Sequence, residues 1–191
     1  MAAASKIRVL GIAGSLRSGS YNRALLHAAK ELAPDGMEIS IYDDLGSIPP
    51  YNSDVEAKGD PEPVARLKKA IRDADALLIA TPEYNYSLPG ILKNAIDWAS
   101  RPFGTSVMIN KPAAIMGATM GMGGTIRAQD VLRQVFRATQ TYVLSQPEVF
   151  VFRAQDKFDA KGILTDETTR KIIRQLLLAL AELTQKLSQK S

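Results

Sequence analysis

The chain has no cysteine and only one histidine among its 191 residues. The first absence excludes disulfides, thiolate nucleophiles and cysteine-held zinc or iron–sulfur sites. The lone imidazole, His27, falls within an expected helix, and one histidine cannot build a histidine-rich metal centre. A Ser-His-Asp arrangement would have to pass through His27, and no nucleophile-elbow pattern accompanies it. No apolar run approaches the roughly 18 residues of a membrane span. Residues 1–6 lack the apolar stretch of a signal peptide and read as a frayed start, which makes the cytoplasm the expected location. Basic residues never run five together, and no nucleic-acid motif is present, so a net charge of +4 points to small anions. The segment Arg66-Leu67-Lys68-Lys69 reads as a solvated helical face.

What is present is ordinary in bulk and distinctive in pattern. A hydrophobic fraction of 46% with 23% charged residues suits one globular domain over residues 1–191. Apolar and β-branched runs at residues 6–13, 38–42, 74–81, 113–118 and 141–152 predict five strands, the last interrupted by Pro147. Helical spacing over residues 22–32, 60–73, 87–99, 126–138 and 166–188 predicts five helices. Asp60 followed by Pro61 suits a helix start, and Thr165 can cap the last helix. Residues 43–59 read as a long loop, with Asp43 and Asp44 as strand-end residues. Strict alternation of strand and helix predicts a doubly wound α/β fold. Its parallel sheet has order 2-1-3-4-5, with helices on both faces.

Three loops follow the first, third and fourth strands, where an open parallel sheet binds its ligands. The first, residues 14–22, is Gly14-Ser15-Leu16-Arg17-Ser18-Gly19-Ser20-Tyr21-Asn22. It offers hydroxyl, amide and guanidinium donors and runs into a helix N-terminus, so it suits a terminal phosphate. A P-loop would end in Gly-Lys-Ser/Thr and a dinucleotide fingerprint needs Gly-x-Gly-x-x-Gly; Gly11-Ile12-Ala13-Gly14 has neither pattern. The second loop, Pro82-Glu83-Tyr84-Asn85-Tyr86-Ser87, can read the edge of a heteroaromatic ring and border its face. The third, residues 119–124, has Thr119, Gly121, Gly123 and Gly124 beside Met120 and Met122, and lets a ligand approach the backbone closely. Arg127 follows and can meet a second anionic group. A phosphate at one end and a planar ring at the other describe flavin mononucleotide, FMN.

The stretches Gly14-Ser15-Leu16-Arg17-x-x-Ser20-x-Asn22-Arg23 and Pro82-Glu83-Tyr84-Asn85-x-Ser87-x-Pro89-Gly90-x-Leu92-Lys93-Asn94-Ala95-Ile96-Asp97-Trp98 resemble the NADPH-dependent FMN reductase family. Its flavodoxin-like members include bacterial quinone, chromate and azo-dye reductases. The resemblance runs from the first strand through the helix after Arg127. It implies non-covalent FMN, NADH or NADPH as co-substrate, and ping-pong hydride transfer to quinones or other small acceptors such as chromate, azo dyes or free flavin. The flavin performs the redox step, so no catalytic side chain is expected.

The resemblance carries Ser15, Arg17, Ser20 and Asn22 to the phosphate, with Gly14, Leu16 and Tyr21 also among the cofactor-binding residues. Pro82, Glu83, Tyr84 and Asn85 go to the ring edge, and Thr119 and Gly121 to the third contact, with Thr119 standing where this group commonly has serine. It also implies homodimers or homotetramers. Trp98 reads as helix packing. The alternative is a flavodoxin-like electron carrier without NAD(P)H oxidation. Such carriers are strongly acidic and use a Ser/Thr-rich phosphate loop, unlike this basic chain.

Overall fold

The computed structural model describes residues 6–189; residues 1–5, where the frayed start was expected, lie outside them. Three central strands carry the sheet: β1 (Ile7–Ala13), β3 (Ala76–Ala80) and β4 (Pro112–Ala118). Every residue of β3 and β4 is buried, as runs without polar alternation demand. The edge strand β2 (Met37–Tyr42) instead alternates, with Glu38 and Ser40 facing water. The strands pair in parallel, in the order β2-β1-β3-β4-β5, with β5 at Tyr142–Val143.

The faces are covered unequally. Helices α1 (Tyr21–Glu31) and α6 (Glu167–Ser188) pack Leu25, Leu26, Ile173, Leu177 and Leu180 against Val9, Leu78 and Met116. On the other face, α3 (Glu62–Asp73), α4 (Gly90–Ala99) and α5 (Ile126–Ala138) bring Leu67, Ile71, Leu92, Trp98 and Phe136 onto Leu10, Ile12, Leu77, Ile79 and Ile115. Odd and even strand positions thus feed separate cores, as a period of two requires. The expected doubly wound fold is present.

Several local expectations need correction. The fifth strand is not continuous. Its first part, β5 (Tyr142–Val143), pairs with the start of β4, and β6 (Val149–Val151) pairs with its end. Pro147 has no N–H to give the ladder, and the intervening segment is held instead by Arg133, whose Nη1 donates to Leu144 O at 2.5 Å. Residues 43–59 are not plain loop. They contain a 3-10 turn, Leu45–Ser47, and a short helix α2 (Ser53–Glu56) capped by Asn52.

Pro61, not Asp60, is the cap residue of α3, and Asp60 pairs with Lys68 at 2.6 Å. That lysine and Leu67 are buried, so the 66–69 segment is only partly a solvated face. The third long helix starts at Gly90, three residues later than expected. Asp166, rather than Thr165, caps α6 by accepting from Thr169 N at 2.7 Å.

Asp43 and Asp44 do end β2, each in an ion pair, with Arg23 and Arg66 respectively. Trp98 is fully buried, as expected of packing, and its Nε1 donates to Pro49 O at 2.9 Å. Asn94 Nδ2 donates to the same carbonyl at 2.9 Å, while Asn94 Oδ1 accepts from Tyr51 N at 2.8 Å. The Asn94 and Trp98 positions of the long motif therefore fasten the 43–59 segment onto α4.

Candidate active site

The registers Ala13↔Ala80, Ala80↔Met116 and Ala118↔Val151 bring the carboxyl ends of β1, β3, β4 and β6 together. The three loops that leave β1, β3 and β4 therefore share one end of the sheet. They are also tied to each other, by a different device at each junction.

The first and second loops meet at Gly14. A Cβ there would lie 3.2 Å from both Leu92 Cδ2 and Pro82 Cδ, and 3.3 Å from Pro89 Cγ. Gly14 N donates to Ala80 O at 2.9 Å, which keeps the loops side by side. Ser15 is buried, and its hydroxyl accepts from Arg17 N at 3.4 Å. Leu16 is exposed but rests on the 43–59 segment, where a Cβ on Gly46 would be 3.4 Å from its methyl groups. The exposed Arg17 guanidinium donates to Gly19 O at 2.8 Å, so it folds over its own loop. Ser20 caps α1, accepting from Asn22 N and Arg23 N. The backbone N–H groups of Leu16, Ser18 and Gly19 have no partner among the described residues. Tyr21 leans on Phe158, ring centroids 5.3 Å apart.

Asn22 joins the first and third loops. Its Nδ2 donates to Ala118 O at 3.0 Å and its Oδ1 accepts from Ala118 N at 2.9 Å. The side-chain amide is thus spent on the end of β4, and it is buried there. Glu83 joins the second and third loops. Its Oε2 accepts from Arg127 N at 3.0 Å and Ala128 N at 3.3 Å, and its Oε1 from Arg127 Nη1 at 3.2 Å. Helix α5 has no side-chain cap of its own, since Thr125 sits at φ +69° and makes none. Glu83 supplies that cap from another loop, with its charge at the positive end of the helix dipole.

Tyr84 and Ser87 exchange reciprocal backbone bonds at 3.0 Å, closing a turn with Asn85 at φ +51° and Tyr86 at φ +64°. Left-handed values at both central residues belong to a type I′ turn, which asparagine tolerates and tyrosine resists. Both tyrosines are exposed. Past β4, Thr119 N donates to Val151 O at 2.9 Å and Gly121 O accepts from Arg153 N at 3.1 Å, so β6 anchors the third loop. Thr119 Oγ1 accepts from Gly121 N at 3.3 Å, and Met120 and Met122 project outward.

Every expected site residue therefore lies at this end of the sheet, but they divide by role. Leu16, Arg17, Tyr84, Asn85, Thr119 and Gly121 reach the surface of the loop cluster, whereas Ser15 is buried. Gly14, Asn22, Pro82 and Glu83 hold the loops together. Sequence reading missed those ties, because Asn22 lies 96 residues from its partner and Glu83 lies 44 residues from Arg127. It also missed the Tyr86 partner: Arg127 Cζ stands 4.3 Å from that ring centroid.

Two concavities lie elsewhere. One of about 690 Å³ runs outside the first loop, between α1 and residues 159–164, with the exposed His27 on its wall. Another of about 890 Å³ lies at the amino ends of the strands. Burial pushes the Lys111 ammonium there below the ordinary lysine value, and Nζ donates to Ala74 O at 2.5 Å. That lysine thereby satisfies a carbonyl at the carboxyl end of α3. No metal-binding cluster of His, Asp or Glu occurs among the described residues.

The family model for NADPH-dependent FMN reductase matches residues 7–156. The chain belongs to the NADPH-dependent FMN reductase family. An NAD(P)H-dependent FMN reductase of Pseudomonas aeruginosa is 55% identical over 174 residues, covering 91% of this chain and 93% of its own. An NAD(P)H:quinone oxidoreductase of Solanum tuberosum is 47% identical over 196 residues, covering 100% and 99%. Among solved structures, the flavoenzyme NAD(P)H:(acceptor) oxidoreductase FerB from Paracoccus denitrificans superposes with a TM-score of 0.85 at 38% identity, covering 94% of this chain and 98% of its own. The reductase is therefore an oxidoreductase of flavodoxin-like fold. No helix among its described residues is long and apolar enough to cross a membrane.

Proposed function

We propose that this reductase takes electrons from NADH or NADPH through non-covalent FMN and passes them to quinones and other small acceptors. Chromate, azo dyes and free flavin belong to the same acceptor class. The observation that carries the reading is the cross-tied cluster of three loops, with anion donors at one end and aromatic side chains at the other. The donor set fits FMN. Ser15, the partnerless N–H groups of Leu16, Ser18 and Gly19, Arg17 and the start of α1 suit its phosphate. Tyr84, Asn85, Thr119 and Gly121 border the ring, while Gly14, Ser20, Tyr21, Asn22, Pro82 and Glu83 hold those groups in place. Bound there, FMN supplies the hydride chemistry, and the chain supplies position and charge. The net charge of +4 favours the approach of anionic cofactors and acceptors.

The self-association implied by the family, as homodimer or homotetramer, has support in the exposed apolar side chains Leu16, Tyr84, Met120, Met122 and Phe152. A cytoplasmic location accords with a chain free of cysteine. The electron-carrier reading lacks a supporting observation, since the similar proteins named above are reductases.

Anaerobic titration tests the function. The FMN-loaded protein should bleach on NADPH and recover its flavin spectrum on a quinone, and steady-state lines at varied acceptor should be parallel, as ping-pong turnover requires. Arg17→Ala should weaken FMN binding about tenfold or more, the loss expected for a charged phosphate contact. An FMN affinity within twofold of the parent protein would remove Arg17 from the phosphate site.

A further inference from the structure

Arg127 has a role left to assign. Its backbone N–H already serves the helix cap through Glu83, so the cap needs no arginine side chain. Yet the guanidinium is held on two sides. Nη1 donates to Glu83 Oε1 at 3.2 Å, and Cζ lies 4.3 Å from the Tyr86 ring centroid. Tyr86 holds that position at φ +64°, where a glycine would sit without strain. Glu83 is itself immobilised, with a side chain 13% exposed against 54% for Arg127. A planar cation with five N–H donors therefore stands fixed between the second and third loops. One donor is spent on Glu83, and the guanidinium edge is open to solvent. The first loop carries its own arginine and its own helix N-terminus for a phosphate.

Resting on the function proposed above, we infer that Arg127 is the recognition residue for the pyrophosphate of the nicotinamide dinucleotide, with Glu83 and Tyr86 as its positioning residues. In such a dinucleotide the first phosphate is one ribose away from the nicotinamide, within the reach of a cation that neighbours the ring end. A guanidinium matches two phosphate oxygens in its plane, and stacking on Tyr86 fixes that plane in advance. Lysine in the same place offers a point charge without the fork. The start of α5 adds the positive end of a 13-residue helix dipole beneath the same spot.

The test uses FMN-loaded protein and two hydride donors: NADPH, and N-benzyl-1,4-dihydronicotinamide, which has no phosphate. Arg127→Gln is expected to raise the Kd of NADP+ in isothermal titration calorimetry by about tenfold or more. It should lower kcat/KM for NADPH at least about tenfold further than for the neutral donor. Arg127→Lys should recover part of both losses. Tyr86→Phe should retain NADP+ affinity because the ring remains, whereas Tyr86→Leu should lose part of it. Equal losses with the two donors, or an unchanged NADP+ Kd in a folded Arg127→Gln protein, would overturn the assignment. FMN affinity, flavin spectrum and melting temperature of each variant identify a protein that has merely lost its fold. Parent protein that accepts electrons from the neutral donor but neither binds NADP+ nor oxidises NADPH would instead refute the underlying function. That outcome separates the two failures.

Discussion

Glu83→Ala is the most direct probe of how the site is assembled. The substitution removes an acceptor for two N–H groups in the first turn of α5 and for one guanidinium N–H. Losing a helix cap costs about 1–2 kcal/mol. The ion pair to a half-exposed arginine adds no more than about 1 kcal/mol, because solvent screens it. Glu83→Ala should therefore cost about 1–3 kcal/mol, or about 2–12 °C in melting temperature for a chain of this size. Glu83→Gln keeps an acceptor oxygen and loses the charge at the helix N-terminus, so about 1 kcal/mol is expected. Urea unfolding followed by circular dichroism reads both values, in flavin-free protein so that ligand linkage does not enter. A Glu83→Ala loss below about 0.5 kcal/mol, within the scatter of ordinary surface substitutions, would show that α5 needs no cap from the second loop. In that case the account of the loops as one coupled unit would fail.

Asn22→Ala strips both the N–H and the carbonyl of buried Ala118 of their partner and should cost about 3 kcal/mol by chemical denaturation. A loss under about 1 kcal/mol would mean that the third loop does not depend on it. Gly117→Ala should be at least as damaging, about 3 kcal/mol, because its Cβ would lie 2.5 Å from Thr81 O and would overlap Thr125 Oγ1. A normally stable variant would show that β4 and α5 can part without penalty. Asp166→Ala should cost about 1 kcal/mol at neutral pH. The hydrogen bond from the Thr169 hydroxyl, with that from its backbone N–H and the nearby Lys157, holds the Asp166 carboxyl below the ordinary aspartate value. A depressed carboxylate stabilises fully above its unfolded value and loses that contribution as pH falls through the native one. The gap between parent and variant, measured by urea unfolding across acidic pH, should therefore close on acidification. A gap that widens on acidification would reverse that assignment.

Much of this architecture was legible because two-sided burial leaves a plain mark. Strands such as Ala76–Ala80 and Pro112–Ala118 have no polar residue to obscure them, and a polar, aromatic loop follows the first and a glycine-rich loop the second. Pro147 announced an interruption, but not that the two halves would both pair with β4. The gathering of the three loops at one end of the sheet was also legible, since it follows from strand order. The division of labour within it was not. Asn22 and Glu83 are polar residues in polar loops, and only the folded sheet reveals that each closes on a backbone far along the chain. The same holds for Lys68, whose charge suggests solvent while the ion pair to Asp60 lets it be buried.

The broken outer strand has a consequence for how the molecule meets its own kind in concentrated solution. A long free edge is a template on which another chain can add a strand. Here that edge comes as two pieces, Tyr142–Val143 and Val149–Val151, separated by a turn that carries Pro147 and Glu148. Neither piece is long enough to recruit an ordinary strand of five or six residues. The opposite edge, β2, turns Glu38 and Ser40 to water. A protein with a fully parallel sheet and a nearly continuous apolar centre thus guards both of its margins against edge-to-edge aggregation.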